Sequence, residues 1–504
     1  MATRRCNPKY CEKMVHFPFD NTYAKMPERF FAKVSPTPVA NPKLVRVNRE
    51  LAVELGLDPD ELSSDEGLQI LAGNKLPERA DAIATAYAGH QFGGFVPQLG
   101  DGRAILLGEV IDKSGRRRDI QLKGPGRTPF SRGGDGRAAV GPVLREYIVS
   151  EAMFALGIPT TRALAAVTTG ELVMRETPLP GAIITRVASS HLRVGTFQFF
   201  AARRDVEGLR LLADHVIARH YPAIAGSAHP YHALLNEVIE AQAKLVASWL
   251  LVGFIHGVMN TDNVSVAGET IDYGPCAFMD EYNPEAVFSA IDTFGRYAYY
   301  RQPEIAEWNL ARLAECLLPL FGPDSDAAIA HATEALQAFA PIFNSAYQGG
   351  LRQKLGLTRE REGDNELARD LLNAMVANQA DFTLTFRRLA DALDGPEGDD
   401  GAASLFNHPD DFTEWAVRWR ERLAEEEVPT AERRRALLAI NPAYIPRNHR
   451  VEAVIRAAVD REDFGPFEEL LTALSRPFED QPGFEHYMEP PKEEERVLRT
   501  FCGT

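Results

Sequence analysis

The spacing of apolar positions along this chain changes character near residue 200. Residues 104–111 are rich in branched apolar residues, residues 112–118 form a polar turn, and Asp119-Ile-Gln-Leu-Lys123 alternates with period two. Together they predict a hairpin whose second strand ends on Lys123. Gly133-Gly134-Asp135-Gly136 then breaks the chain before Leu144, Tyr147, Ile148, Ala152 and Ala155, which recur at helical steps until Gly157 and Pro159. That pattern predicts a helix with Glu146 near its start. Three further strand patterns, at 164–168, 171–175 and 182–187, are expected to complete a small sheet.

From about Phe197 the period is helical. Its clearest run is Leu234, Val238, Ala241, Leu245, Trp249 and Val252, which delivers the chain to a polar loop beginning at His256. Residues 325–504 read as mostly helical, with acidic loops at 360–364 and 394–400. At the other end, Pro27, Pro36, Pro38 and Pro42 accompany a short helical pattern at 44–55. The whole predicts an α+β chain in four parts: an N-terminal extension (1–75) that wraps on the neighbouring lobe, a small, mainly β lobe with one key helix (76–190), a larger helical lobe (191–325), and helical C-terminal additions (326–504). No internal repeat is visible.

Composition narrows the function classes. With 71 acidic against 55 basic residues, a net charge of −16 is unfavourable for a nucleic-acid surface, which needs clustered Lys and Arg. Five scattered cysteines, Cys6, Cys11, Cys276, Cys316 and Cys502, form no CxxC and no disulfide framework. No apolar run reaches the roughly 20 residues that span a bilayer. A cytoplasmic protein with neither nucleic-acid nor membrane partners is expected.

The chemistry concentrates in His256-Gly257-Val258-Met259-Asn260-Thr261-Asp262-Asn263, followed by Asp272-Tyr273-Gly274. Against the kinase-type pattern HGDxxxxN…DxG, the His, Gly, Asn and metal-binding Asp are kept, but Val258 occupies the position of the catalytic base. Valine does no proton chemistry. Asp262, beside Asn263, is the remaining carboxylate that can accept a proton, while Asn263 and Asp272 are hard oxygen ligands suited to Mg²⁺ or Mn²⁺.

Other elements come in kinase order. A glycine-rich stretch, Gly89 to Arg103, precedes the first clear strand, where a phosphate cover belongs. Lys123 and Glu146 reproduce a strand lysine partnered by a helix glutamate, and Arg186 and Arg193 suit phosphate contact. His256 is expected to bond backbone, and Cys276 to be core. A GxSxG elbow, a GxxxxGK[ST] loop and histidine-rich zinc spacing are all absent, which excludes serine hydrolases, P-loop enzymes and zinc hydrolases.

Three long motifs, Tyr87-Ala-Gly-His-Gln-Phe-Gly-Gly-Phe95, Gln121-Leu-Lys-Gly-Pro-Gly-Arg-Thr-Pro-Phe-Ser-Arg-Gly-Gly-Asp-Gly-Arg137 and His256 to Asn263, strongly resemble the selenoprotein O (YdiU) family. Phe19-Asp-Asn-Thr-Tyr23 and Pro27-Glu-Arg-Phe-Phe31 match its beginning. The resemblance implies a protein-kinase-like bilobal pseudokinase that binds ATP in a flipped orientation and transfers AMP to Ser, Thr or Tyr hydroxyls of proteins, with Mg²⁺ or Mn²⁺. UMP transfer from UTP occurs in similar enzymes. The resemblance further implies nucleotide contacts at Gly100, Gly102, Arg103, Lys123, Asp135, Gly136, Arg186, Arg193 and Asp272, with Glu146 supporting Lys123. It makes Asn263 and Asp272 metal ligands and Asp262 the proton acceptor. The tail departs from the family pattern: Cys502 stands at the selenocysteine position, with Arg499 where a cysteine partner would be. Three rivals stand beside this reading: a nucleotide-binding pseudokinase without turnover, a γ-phosphate kinase using Asp262 as base, and, from the resemblance of the tail, a redox protein acting through Cys502.

Overall fold

The computed structural model describes residues 15–501; Cys6, Cys11 and Cys502 lie outside the described residues. The chain divides into two compact units. The first holds residues up to Ala86, Gly100–Val143 and Ala163–Ser189; the second holds Tyr87–Leu99, Leu144–Arg162 and Ser190 onward.

In chain order the elements are β1 (Phe31–Lys33), β2 (Lys43–Val47), α1 (Arg49–Glu54), α2 (Pro59–Leu62), α3 (Asp65–Leu71), β3 (Ile83–Thr85), and a hairpin of β4 (Gly89–Gln91) and β5 (Gly94–Val96). Then come β6 (Ala104–Ile111), β7 (Arg117–Lys123), β8 (Ala138–Ala139), α4 (Val140–Ala155), β9 (Arg162–Met174) and β10 (Pro178–Ala188). The first unit is built on an eight-stranded sheet in the order β1-β3-β6-β7-β10-β9-β2, with β8 alongside β10.

The β6–β7 hairpin forms as the alternation predicts, and Asp112 shapes its turn. The Asp112 carboxylate accepts from Ser114 N (2.9 Å), Ser114 Oγ (2.6 Å) and Arg116 N (2.9 Å), and Arg118 Nε donates to it at 2.9 Å. Burial alone would raise this acid's pKa, but these bonds outweigh it and hold the carboxyl at about 2. The segment before β1 lies along β6: Asp20 N donates to Glu109 O (2.7 Å), and the Glu109 carboxylate accepts from Thr22 and Tyr23. Gly108 permits this close approach, because a Cβ there would stand 2.6 Å from the Phe19 ring.

Two expectations are corrected here. The helical pattern at 44–55 is a strand followed by a helix: β2 pairs with β9, and Asn48 caps α1 by accepting from Leu51 N at 3.1 Å. Leu44 and Val47 are three residues apart, as on a helix, but pack with the sheet core, so period alone was ambiguous over so short a run. The strands expected at 164–168 and 171–175 are one strand, β9. Gly170 (φ +71°) passes through it without a turn, and its missing side chain leaves room for the backbone of Asn41, whose N bonds Thr169 O.

The second unit is mainly helical. It contains α5 (Val194–Ala202), α6 (Val206–His220), α7 (Pro230–Leu251), β11 (Phe254–Ile255), β12 (Ala277–Phe278) and α8 (Gln302–Phe321), and nine helices succeed them between Ser325 and Leu474. The helix pattern at 234–252 is realised as α7. Its buried residues include Leu234, Val238, Leu245 and Trp249. Helix α4 is buried nearly all round rather than on one face, including Arg145 and Glu146. Among the described residues no helix is long and apolar enough to cross a membrane.

Candidate active site

Strands β11 and β12 pair Phe254 with Phe278 and Ile255 with Ala277, so the chain between them is tied at its base. That closed segment carries both His256–Asn263 and Asp272. Buried amides of α8 brace its first half: Gln302 bridges His256 N (3.0 Å) and Phe254 O (2.9 Å), and Asn309 Nδ2 donates to Met259 O (2.9 Å). The His256 Nε2 donates to Ile271 O at 2.8 Å, and Val258 N approaches its Nδ1, which fixes the tautomer. Burial lowers this imidazole's pKa, so it is neutral and acts as a backbone clamp, as the pattern suggested. Its partner Ile271 precedes Asp272, which adopts a left-handed backbone (φ 61°) uncommon for a residue with a side chain.

Asp262 is 7% exposed, and its Oδ1 has no hydrogen-bond partner among the described residues. Burial pushes its carboxyl up to about 6, against the opposing charge of Arg193. Arg193 Nη1 donates to both Asp262 O (2.7 Å) and Asp272 Oδ2 (2.5 Å). Asn263 Nδ2 donates to Val258 O (2.9 Å), which commits its nitrogen and directs its oxygen elsewhere. Val258, where the kinase pattern carries its base, contributes main-chain groups alone: its N–H to His256 and its carbonyl to Asn263.

Several residues of this site carried no sequence signal of their role. The stretch from Gly89 to Arg103, read as one phosphate cover, is split. Its first half is the β4–β5 hairpin of the second unit, held on the 260–262 turn; only Gly100–Arg103 leads into β6. His90 N donates to Thr261 Oγ1 (2.7 Å), Gln91 Nε2 to Asp262 Oδ2 (3.3 Å) and Phe92 N to Asn260 Oδ1 (3.0 Å). Gln198 closes the set, accepting from Thr261 Oγ1 (2.6 Å) and contacting His90 Nδ1 (2.7 Å). A Cβ on Gly89 would lie 2.5 Å from Asp262 Oδ1, so this glycine makes room for the carboxylate. The motif spelling made these positions noticeable, but their partners lie about 170 residues away, beyond the reach of local pattern.

In the first unit, Lys123 and Arg186 share one face of the sheet. Ile184 is registered on Lys123 and Arg186 on Gln121, and residues 121 and 123 point the same way. Both cations are largely buried. Gly100 and Gly102 fit against the 128–131 turn: a Cβ on Gly100 would stand 2.4 Å from the Phe130 ring and one on Gly102 2.8 Å from Phe130 O. Thr128 Oγ1 donates to Asp101 O (2.6 Å) and Ser131 Oγ to Gly102 O (2.5 Å), which staple the two segments just before Arg103. Gly136 (φ +68°) is required by the backbone of Gly126, only 2.0 Å from where a Cβ would be. Asp135 is gripped by Arg175 (2.8 Å) and by Arg137 N (2.9 Å). Burial raises its pKa, yet these bonds bring it below the ordinary value. Glu146, on α4, and Lys123 belong to different units.

The donor set fits a hard divalent cation. Asn263 supplies an amide oxygen, Asp272 a carboxylate, and no group of three or more His, Cys, Asp or Glu among the described residues forms a cage. Two oxygen ligands of this kind suit Mg²⁺ or Mn²⁺ shared with substrate phosphates. Cys276 and Cys316 are both buried.

A braced loop that carries Asn263 and Asp272 as hard oxygen donors, with an underbonded buried carboxylate beside them, has the chemistry of an enzyme that handles phosphorylated substrates. The family model described as protein adenylyltransferase SelO matches residues 13–475. Relatives named protein nucleotidyltransferase YdiU are 66% identical over 490 residues in Bradyrhizobium diazoefficiens and in Rhodopseudomonas palustris, covering 97% of this chain and 100% of each relative. One from Methylorubrum extorquens is 65% identical over 494 residues, covering 97% and 99%. The chain belongs to the SelO/YdiU family of protein nucleotidyltransferases.

Proposed function

We propose that this enzyme transfers AMP from ATP to Ser, Thr or Tyr hydroxyls of proteins, releasing pyrophosphate, and that UTP can replace ATP as donor. The observation that carries this reading is Asp262, a buried carboxylate with one unbonded oxygen, beside Asn263 and joined through Arg193 to Asp272. On this reading the acceptor oxygen attacks Pα, the bond from Pα to the β-phosphate oxygen breaks, and Asp262 takes the hydroxyl proton. ATP lies flipped relative to a kinase, with its α-phosphate toward the acceptor.

Lys123, Arg186 and Arg103 bind the phosphates, and Arg193 adds charge while holding Asp272 in place. Gly100, Gly102, Asp135 and Gly136 shape the nucleotide's surroundings. Asn263 and Asp272 would hold the metal, which when bound neutralises phosphate charge. The sheet-based and helical units then correspond to the small and large lobes of a protein-kinase-like fold. A cytoplasmic location accords with the absence of a disulfide framework in the sequence.

The test uses ATP labelled at the α- or the γ-phosphate, with Mg²⁺ or Mn²⁺ and a mixture of proteins. Label from the α-position alone is expected, lost in Asp262→Asn and Asp272→Ala. Label from the γ-position would mean a kinase with a relocated base, and no label from either a binding-only protein. α-Labelled UTP reads the second donor.

A further inference from the structure

The β4–β5 hairpin turns through Phe92 and Gly93, both with positive φ (51° and 87°) and flanked by the Gln91–Gly94 pair. A two-residue turn of this kind favours Asn, Asp or Gly at its first position; an aromatic residue there is strained. Phe92 stands at the hairpin tip, 39% exposed and 5.2 Å from the Tyr297 ring, and its N–H bonds Asn260, two residues before Asp262. Phe95, 42% exposed, packs on His90, whose ring meets Trp308.

Arg296 adjoins this tip. A Cβ on Gly93 would lie 3.7 Å from its guanidinium carbon, which stands 4.9 Å from the Trp308 ring. Its nearest acid in sequence, Asp292, is engaged by the main-chain N–H groups of Arg296 and Tyr297. Among the described residues Arg296 makes no ion pair. Ile291 and Phe294, just before it, are exposed, Phe294 at 94%. A cation with no acidic partner among the described residues, within a partly exposed aromatic surface whose hairpin is hydrogen-bonded to the loop of Asp262, matches an anionic and apolar occupant.

Building on Asp262 as proton acceptor, we propose that Phe92, Phe95 and Arg296 form the acceptor-docking surface, taking a protein segment whose reactive hydroxyl is accompanied by an apolar side chain and a carboxylate. The acceptor oxygen must reach Asp262, and Gln91 and Asn260 connect that carboxylate's loop directly to the hairpin tip. Arg296 meets the carboxylate by a charge-assisted bond, and the Phe92 ring covers the apolar side chain.

The experiment compares three peptides with one identical hydroxyl residue, flanked by acidic, neutral or basic side chains, with α-labelled ATP and the full chain. The wild type is expected to favour the acidic peptide. Arg296→Glu should shift the acidic-to-basic preference by about tenfold or more, equivalent to ~1.4 kcal/mol, and Arg296→Lys should retain the wild-type order. Phe92→Ala should raise KM for all three peptides without changing ATP affinity followed by thermal shift. An unchanged preference in a folded Arg296→Glu variant overturns the docking surface and leaves nucleotidyl transfer standing. Absence of α-label on any peptide or protein with the wild type removes the transfer reading, and the docking surface with it.

Discussion

Arg193 and Asp272, 79 residues apart, meet at 2.5 Å, and the same arginine nitrogen donates to Asp262 O at 2.7 Å. One guanidinium thus sets the spacing between the proposed proton acceptor and a proposed metal ligand. Its side chain is 3% exposed, with its charge next to the Tyr87 ring at 4.9 Å. Arg193, proposed above as a nucleotide contact, is also a spacer between these two residues.

Arg193→Ala leaves the Asp272 carboxylate without this partner in a mostly buried setting, which costs about 3 kcal/mol. A lower thermal midpoint is expected, together with loss of the stabilisation by Mn²⁺ and ATP that the proposed function expects of the wild type. Arg193→Lys should recover part of the midpoint but little turnover, since one ammonium does not reproduce the guanidinium's fixed geometry. A wild-type response to Mn²⁺ in the alanine variant would contradict the spacer role.

Gly89→Ala tests the fit of the hairpin against Asp262. The new Cβ would be 2.5 Å from Asp262 Oδ1 and must displace the carboxylate. A shift of this size at the proposed proton acceptor is expected to lower kcat by about 100-fold, with ATP affinity retained. Gly94→Ala is the control, because its Cβ meets only Gln91 O at an ordinary 3.5 Å. Equal losses in the two variants would indicate general disruption of the hairpin.

Lys354 lies far from these residues in sequence and is 3% exposed, 4.3 Å from the Phe386 ring and 5.5 Å from that of Phe382. Burial lowers its pKa to about 7 from an ordinary 10.5. Between these values the unfolded chain binds the proton that the folded one does not, so the contribution to stability rises with pH. The slope is at most about 1.4 kcal/mol per pH unit. Lys354→Met should be more stable than wild type near pH 7, and the difference should shrink toward pH 10. A difference independent of pH would mean that the lysine is charged in the folded protein.

Much of the architecture was legible because it is periodic. The β6–β7 hairpin and helices α4 and α7 each arise from a run whose apolar spacing matches one kind of element. The 44–55 segment and the two halves of β9 misled for the same reason: a short run fits either period, and Gly170 resembles a turn until Asn41 is seen beside it. The motif residues were also legible as chemistry, since Val258 in place of an acid and Asp262 beside Asn263 can be read directly.

The chain's own order of residues determined which groups are available: a displaced carboxylate, two hard oxygen ligands, a strand lysine and the arginines. Tertiary structure alone decided what each is packed against and bonded to. It assigned the first half of the glycine-rich stretch to Asp262, accounted for Gly100, Gly102 and Gly136 by close backbone packing, and bound Arg193 to Asp272. Secondary structure arises from neighbours a few residues apart and leaves a repeat in the sequence; hydrogen bonds and steric fits between distant segments leave none.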